Sequence, residues 1–217
     1  MDRRPHRSST SVSIAVSLAV GLSVLLSGGV GGATPTPYRT NLVVDPSAEQ
    51  AAHSDGYTVV PIPGWTQTSN FTAVPYGTSG FPTVEEGQRI KGGKLFFAGG
   101  PNTSSSSASQ RIAIVGRNAA IDRGRVRVTV GAWLAGWDGQ TDSAQVVVRF
   151  LRSDGSLIAT LRTASVSATD NVFFRKTASR VAPAKTRILE VVLLARRGQG
   201  TYNDGYFDKI DVRIVPV

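Results

Sequence analysis

Apolar and polar residues alternate most cleanly in Arg125-Val126-Arg127-Val128-Thr129-Val130. That period of two predicts a half-buried strand with Val126, Val128 and Val130 inward. The segment runs on through Ala132-Trp133-Leu134 to Gly136-Trp137-Asp138-Gly139. Gln145 to Arg152 and Leu157 to Thr163 read as two more strands, joined by Ser153-Asp154-Gly155-Ser156, whose Asp-Gly step is a hairpin signal. Asn171 to Val181, Thr186 to Arg197 and Tyr206 to Val215 complete this half. In the last of them Ile210, Val212 and Ile214 share one face, Lys209, Asp211 and Arg213 the other, and Asp208 falls in phase with the apolar set. A carboxylate aimed inward is costly to bury alone, so Asp208 is expected to have a partner.

The N-terminal half is more broken. Residues 34–40 form a proline-containing linker, and Asn41 to Asp45 read as a first strand that Pro46 stops. Pro63-Gly64-Trp65 is a turn delivering a large aromatic, and Phe71 to Gly77 is an edge-like strand because Pro75 cannot donate to a ladder. Gly77 to Gly93 is expected to be a loop, Lys94 to Gly100 a buried strand, and the serines from Ser104 to Ser109 a flexible loop before Ser109 to Val115 resumes the sheet. Residues 117–124 are expected to hold a single helical turn, with no longer helix. About nine or ten strands without alternating helices predict an all-β fold, a β-sandwich whose strands cross between two sheets.

The first residues change the picture of compartment. Met1 to Arg7 is a basic head, Ser11 to Leu26 is uncharged and apolar or small, and glycines and alanine follow up to Ala33. This is the pattern of a secretory signal peptide over 1–33, leaving a linker at 34–40 and a sandwich domain at 41–217 in a secreted protein with no membrane contact after cleavage. Cleavage would take three arginines and one aspartate from a chain of net charge +9 and leave +7. With no cysteine in the sequence, stability must come from packing or a bound ion. The basic residues, Arg125, Arg127, Arg149, Arg175, Arg187 and Arg213 among them, are scattered singly, which reads as a solvated face and not as a nucleic-acid patch.

Catalytic constellations are scarce. Beyond residue 33 the histidine is His53, placed in a polar loop, and no Gly-x-Ser-x-Gly elbow occurs. Glu85, Glu86, Asp138 and Asp142 could supply a glycosidase pair, but the glutamates are better explained as solvated charge. A non-catalytic binding protein is expected. Sugar recognition calls for exposed aromatics with planar polar groups beside them, and the candidates are Trp137 with Asp138, Gln140 and Asp142, together with Tyr76. The alternative for Trp137 is a core tryptophan sharing a face with Trp133, whereas Trp65 and Trp133 are assigned to the core.

Four segments in order, Asn41-Leu42-Val43-Val44-Asp45-Pro46-Ser47-Ala48-Glu49, Pro63-Gly64-Trp65, Phe96-Phe97-Ala98-Gly99-Gly100 and Asn203-Asp204-Gly205-Tyr206-Phe207-Asp208, resemble the secreted galactose-binding-like jelly-roll domains of bacteria, relatives of the carbohydrate-binding modules. The resemblance implies a carbohydrate or cell-surface glycan as partner. It also implies a structural calcium (Ca2+) between the first strand's exit loop and the last strand, with Glu49 and Asp208 as ligands. Asp45 stands where the family pattern usually has Asn. Two carboxylates brought close repel unless a proton or cation lies between them. Left open is that Asp208 caps the Asp204-Gly205 turn or pairs with an arginine such as Arg187. An extracellular structural or adhesive protein that meets anionic cell-wall polymer through its charge is the alternative function.

Overall fold

The computed structural model describes residues 33–217, so the expected signal peptide lies outside the described residues apart from Ala33. Eleven strands and two short helices follow in order: β1 (Thr66–Thr68), β2 (Thr72–Pro75), α1 (Val84–Ile90), β3 (Leu95–Pro101), β4 (Ser105–Ala113), α2 (Asn118–Asp122), β5 (Val126–Ala135), β6 (Ser143–Leu151), β7 (Leu157–Arg162), β8 (Val166–Ser167), β9 (Phe174–Val181), β10 (Ile188–Arg196) and β11 (Tyr202–Pro216). They make two antiparallel sheets. One runs β1-β4-β10-β6-β7 with β8 beside β6; the other runs β2-β3-β11-β5-β9. Among the described residues no helix is long and apolar enough to cross a membrane.

Alternation decides what lies between the sheets. Val126, Val128, Val130 and Leu134 of β5 meet Leu189, Val191 and Leu193 of β10 and Phe150 of β6 in the main core, with Phe97 and Phe207 from the neighbouring strands. Each such side chain contributes about 1.5–3 kcal/mol by leaving water. Trp65 is buried there as expected, its ring 5.3 Å from that of Phe97 and its Nε1 donating to the Asp45 carbonyl.

A second apolar layer covers part of the outer face of the five-stranded sheet. Phe96 and Tyr206 alternate with the core residues Phe97 and Phe207, and they pack with Tyr76, Phe81 and Phe173. Trp133, expected in the main core, sits half-buried against this outer layer, with the Arg89 guanidinium 5.4 Å above its ring. The reason is parity: Leu134, not Trp133, shares the inward phase of Val126 to Val130.

Five other expectations differ from the structure. Asn41 to Pro46 forms no ladder, because Asp45 takes a left-handed φ of 45°; the segment still lies along β11, with Leu42 N–H donating to the Val212 carbonyl. The 77–93 stretch contains α1, whose Thr83 Oγ1 accepts from Glu86 N–H at 3.2 Å, a capping pattern with glutamate three residues after the threonine. Glu86 is not solvated charge: it holds Arg89 and accepts from Phe173 N–H. The serine tract is strand, since Ser105 to Ser109 pair with β10 along their whole length, and Ser106 bonds the Gly99 carbonyl inside. Lastly, the β11–β5 register shifts between Asp208 and Asp211, with Lys209 at a φ of 48°. This bulge reverses the phase, so Ile210 points to the core while Asp208 faces the outer layer.

One buried carboxylate holds the loops at the end of the sandwich. Asp142, in the β5–β6 loop, accepts from the backbone N–H groups of Gly198 and Gln199 at 2.8 and 2.9 Å and of Asp204 at 2.8 Å, which ties the β10–β11 loop to its neighbour. Replacing it orphans all three donors. Asp142→Ala should therefore cost about 2 kcal/mol or more in urea denaturation. An unchanged midpoint would show that these bonds are satisfied equally well by water.

Candidate functional site

The loops gathered by Asp142 enclose a cleft of about 240 Å³ lined by Tyr57, Gly80, Phe81, Trp137, Gln140, Gly200, Thr201, Tyr202 and Asp204. Its aromatic side is a linked set of rings. Phe81 and Tyr202 meet edge to face at 5.2 Å, and Tyr57 meets Tyr202 in the same way at 5.5 Å. Tyr57 is nevertheless 65% exposed, so its face is open to a ligand. The 54–58 loop is fixed beneath it by the Asp55 carboxylate, which accepts from Tyr57 and Thr58 N–H, and by the Tyr202 hydroxyl, which donates to the Gly56 carbonyl at 2.8 Å. Gly56 has a φ of 88°, and a Cβ there would strike the Phe81 ring.

Polar groups sit among these rings. Trp137, half-buried, starts a tight turn in which its carbonyl accepts from Gln140 N–H at 3.1 Å, bringing indole and amide to the same cleft. Gln140 Oε1 is buried without a hydrogen-bond partner among the described residues, packed beside Gly200 at the cleft wall. Asp204 is 7% exposed. Burial pushes its carboxyl up to about 6, the Tyr206 hydroxyl that donates to Oδ1 opposes the rise, and nearby Asp142 adds to it.

The structure thus brings Trp137 and Gln140 together and leaves the other expected sugar-contacting residues off the cleft. Asp138 is exposed at the turn, with a φ of 33°. Asp142 is fully buried and spends its oxygens on backbone donors. Tyr76 is not a surface aromatic: it packs against Phe96 and donates its hydroxyl to Asp208 Oδ2 at 2.6 Å. Tyr57 and Asp204 were missed because one looked like part of a polar loop and the other like part of a turn. The signal for Asp204 is its period-two spacing from Tyr202 and Tyr206.

A second polar centre lies at the Gly92–Gly93 turn. Glu49 Oε1 accepts from the N–H groups of Lys94 and Leu95, both at 2.8 Å, leaving Oε2 for another partner. Asp208, fully buried, receives Tyr76 O–H on Oδ2 and Lys209 N–H on Oδ1. A Cβ at Gly92 would overlap Asp208 and the Tyr76 hydroxyl, and one at Gly93 would overlap Glu49, so each carboxylate presses on one of two adjacent glycines. Burial pushes Asp208 up to about 7 against the lowering bonds from Tyr76, Ser47 and Lys209, and Glu49 adds to the rise. The donors that converge are oxygens, which suits a hard cation. Two carboxylates are the whole of the acidic set, since among the described residues no three acidic, histidine or cysteine side chains group to hold a metal. The Lys209 ammonium reaches the Lys91 carbonyl beside the same turn. Arg187, the other partner considered for Asp208, is paired instead with Asp122 at 2.7 Å.

The sequence matches no protein-family model and no curated protein. Among solved structures, a family 16 carbohydrate-binding module is similar at 18% identity over 79% of this chain and 99% of the module, with a TM-score of 0.50. The enzymatically active domain of tailspike protein 4 from bacteriophage CBA120 is similar at 16% identity over 82% of this chain, with a TM-score of 0.50; this chain spans 21% of that one. A family 61 carbohydrate-binding module, solved in complex with β-1,4-galactotriose, is 13% identical over 79% of this chain and 97% of its own, with a TM-score of 0.48. The chain accordingly has the jelly-roll β-sandwich fold of carbohydrate-binding modules.

Proposed function

We propose that the chain is a secreted, non-catalytic carbohydrate-binding module that takes a neutral sugar in the Tyr57–Trp137 cleft. The observation that carries this reading is the lining itself. Exposed aromatic surface stands beside an unpartnered buried acceptor, Gln140 Oε1, and a carboxylate, the combination a sugar's apolar face and hydroxyls require. The fold shared with a carbohydrate-binding module is compatible with that use and does not by itself establish it. One carboxylate, Asp204, lines the cleft, whereas the usual routes of glycoside hydrolysis place two across the bond, and this supports binding over turnover. Secretion rests on residues 1–33.

Immobilised xylan, galactan and β-glucan, tested by affinity electrophoresis, should include at least one that retards the chain. Tyr57→Ala and Trp137→Ala should each weaken that binding roughly tenfold, the equivalent of about 1.4 kcal/mol. Retention untouched by both substitutions would remove the cleft from the mechanism.

One calcium ion held by Glu49 and Asp208 is the second part of the proposal, supported by the oxygen donors and by the charge repulsion that a cation would relieve. Without an ion, Asp208 binds its proton more tightly folded than unfolded. Its contribution to stability is then full below about pH 4 and is lost as pH rises through about 7. In chelator the melting temperature should fall across that window, and calcium should restore it at neutral pH. Asp208→Asn should remove both the part of the slope due to this residue and the response to calcium. Identical melting with calcium and with chelator would leave a proton, not an ion, as the partner of Asp208.

A further inference from the structure

The outer face of the five-stranded sheet is covered by aromatic rings over one part only, and the remainder carries a feature that the cleft does not use. Asp211 of β11, Gly131 of β5 and Thr177 of β9 lie side by side across three strands, with Arg213, Thr129 and Ser179 as the next row. Asp211, Gly131, Thr177, Thr129, Ser179 and Arg175 frame a groove of about 470 Å³. Through Arg175 and Asp211 it continues into a recess of about 350 Å³ bounded by Asn41, Ser47, Lys209 and Arg213. At Gly131 the guanidinium lies close over the bare backbone: a Cβ there would come within 2.6 Å of the Arg175 Nη2 and push it aside.

The charges do not cancel. Asp211 is held by Arg213 at 2.7 Å, while Arg175 stands 3.7 Å from its other oxygen, so one carboxylate faces two guanidiniums. Lys209 adds a third cation whose recorded partner is a neutral carbonyl. The side chains of Arg175 and Arg213 remain 39% and 44% exposed. Between them the floor is of hydroxyls, Thr129, Thr177 and Ser179, and no aromatic ring lines either part.

We propose that this groove is a second site, separate from the cleft, for an acidic polysaccharide whose sugars carry carboxylates. Guanidinium forks match carboxylate geometry in pairs, and the hydroxyl floor offers hydrogen bonds to sugar hydroxyls. A single-stranded nucleic acid would want stacking surfaces that the groove lacks. Strand pairing has gathered on one face cations that stand far apart in sequence, so the dispersed arginines are partly a patch after all.

Affinity electrophoresis of the chain in gels containing polygalacturonate tests this, with xylan, dextran sulfate and DNA as parallel probes. At about 50 mM salt polygalacturonate should retard the chain, and the effect should fade as salt shortens the range of charge attraction. Arg175→Gln and Arg213→Gln, checked for unchanged melting, should each weaken it roughly fivefold, as expected for half-exposed ion pairs. Arg123→Gln, which removes the same charge outside the groove, and Trp137→Ala should not weaken it. Dextran sulfate binding that falls in the same two variants would support a site for anionic sugars in general. The proposal is overturned if polygalacturonate does not bind, if Arg123→Gln costs as much as Arg175→Gln, or if DNA is held as tightly with the same dependence on Arg175. Because Trp137→Ala reads out the cleft alone, either site can fail without the other.

Discussion

Everything on the outer face follows from the left-handed turn of one residue in the closing strand. From Tyr202 to Asp208 the even-numbered side chains of β11 point outward, with Tyr206 in the aromatic layer and Phe207 in the core. Lys209 then takes a φ of 48° and the pairing with β5 slips, after which Ile210, Val212 and Ile214 are inside and Asp211 and Arg213 outside. Beyond Phe207 β3 no longer pairs with β11, so the edge of β11 away from β5 has backbone groups without ladder partners. The N-terminal segment satisfies them: Asn41 Nδ2 donates to the Ile210 carbonyl, Asn41 Oδ1 accepts from Val212 N–H, and the Pro46 carbonyl accepts from Ile210 N–H. The first segment therefore closes that free edge of β11 without forming a ladder of its own.

That reversal divides the outer face into two territories. Before the bulge, Tyr202 and Tyr206 of β11 and Phe96 of β3 put large rings on the outer face beside α1 and the turns around it, and Phe81 and Tyr202 at the edge of this layer line the cleft. After it, outward residues are charged or small, and with Gly131 and the hydroxyls of β5 and β9 they form an open groove. The same sheet thus carries an aromatic surface on one part of its outer face and a charged one on the other.

Where the chain obeys period-two alternation, the sequence predicts the structure well: the β5 valines are inward and the Asp154-Gly155 hairpin joins β6 to β7, with Ser156 N–H on the Asp154 side chain. Legibility fails where an extra residue resets the phase. Asp208 looked inward because counting by twos from Ile210 ignores a bulge, and no residue type at Lys209 announces a left-handed φ. The Thr83 to Glu86 capping pattern was readable, but glycines and prolines around it outweighed seven residues of helix. In the serine tract low complexity concealed a strand, β4, that pairs with β1 on one side and β10 on the other. Within the cleft, Trp137 and Gln140 were legible because aromatic and amide sit in one short loop, whereas Tyr57 and Asp204 join them only through the fold.

Asp204 and Asp208 show why burial alone does not mark a site. Both lie on the outward phase of β11, both accept a tyrosine hydroxyl, and both have carboxyls raised by burial. They differ in what lies beyond the carboxylate. Asp208 has no exposed surface and presses on the backbone at Gly92, so any partner it gains must fit within the folded chain, as a proton or a small ion would. Asp204 keeps a margin of exposure at the wall of an open cleft beside Gln140 Oε1, where a group arriving from solvent can reach it. One acid is therefore sealed within the folded chain and the other lines an open cleft, and the difference comes from which loops close over each end of the same strand.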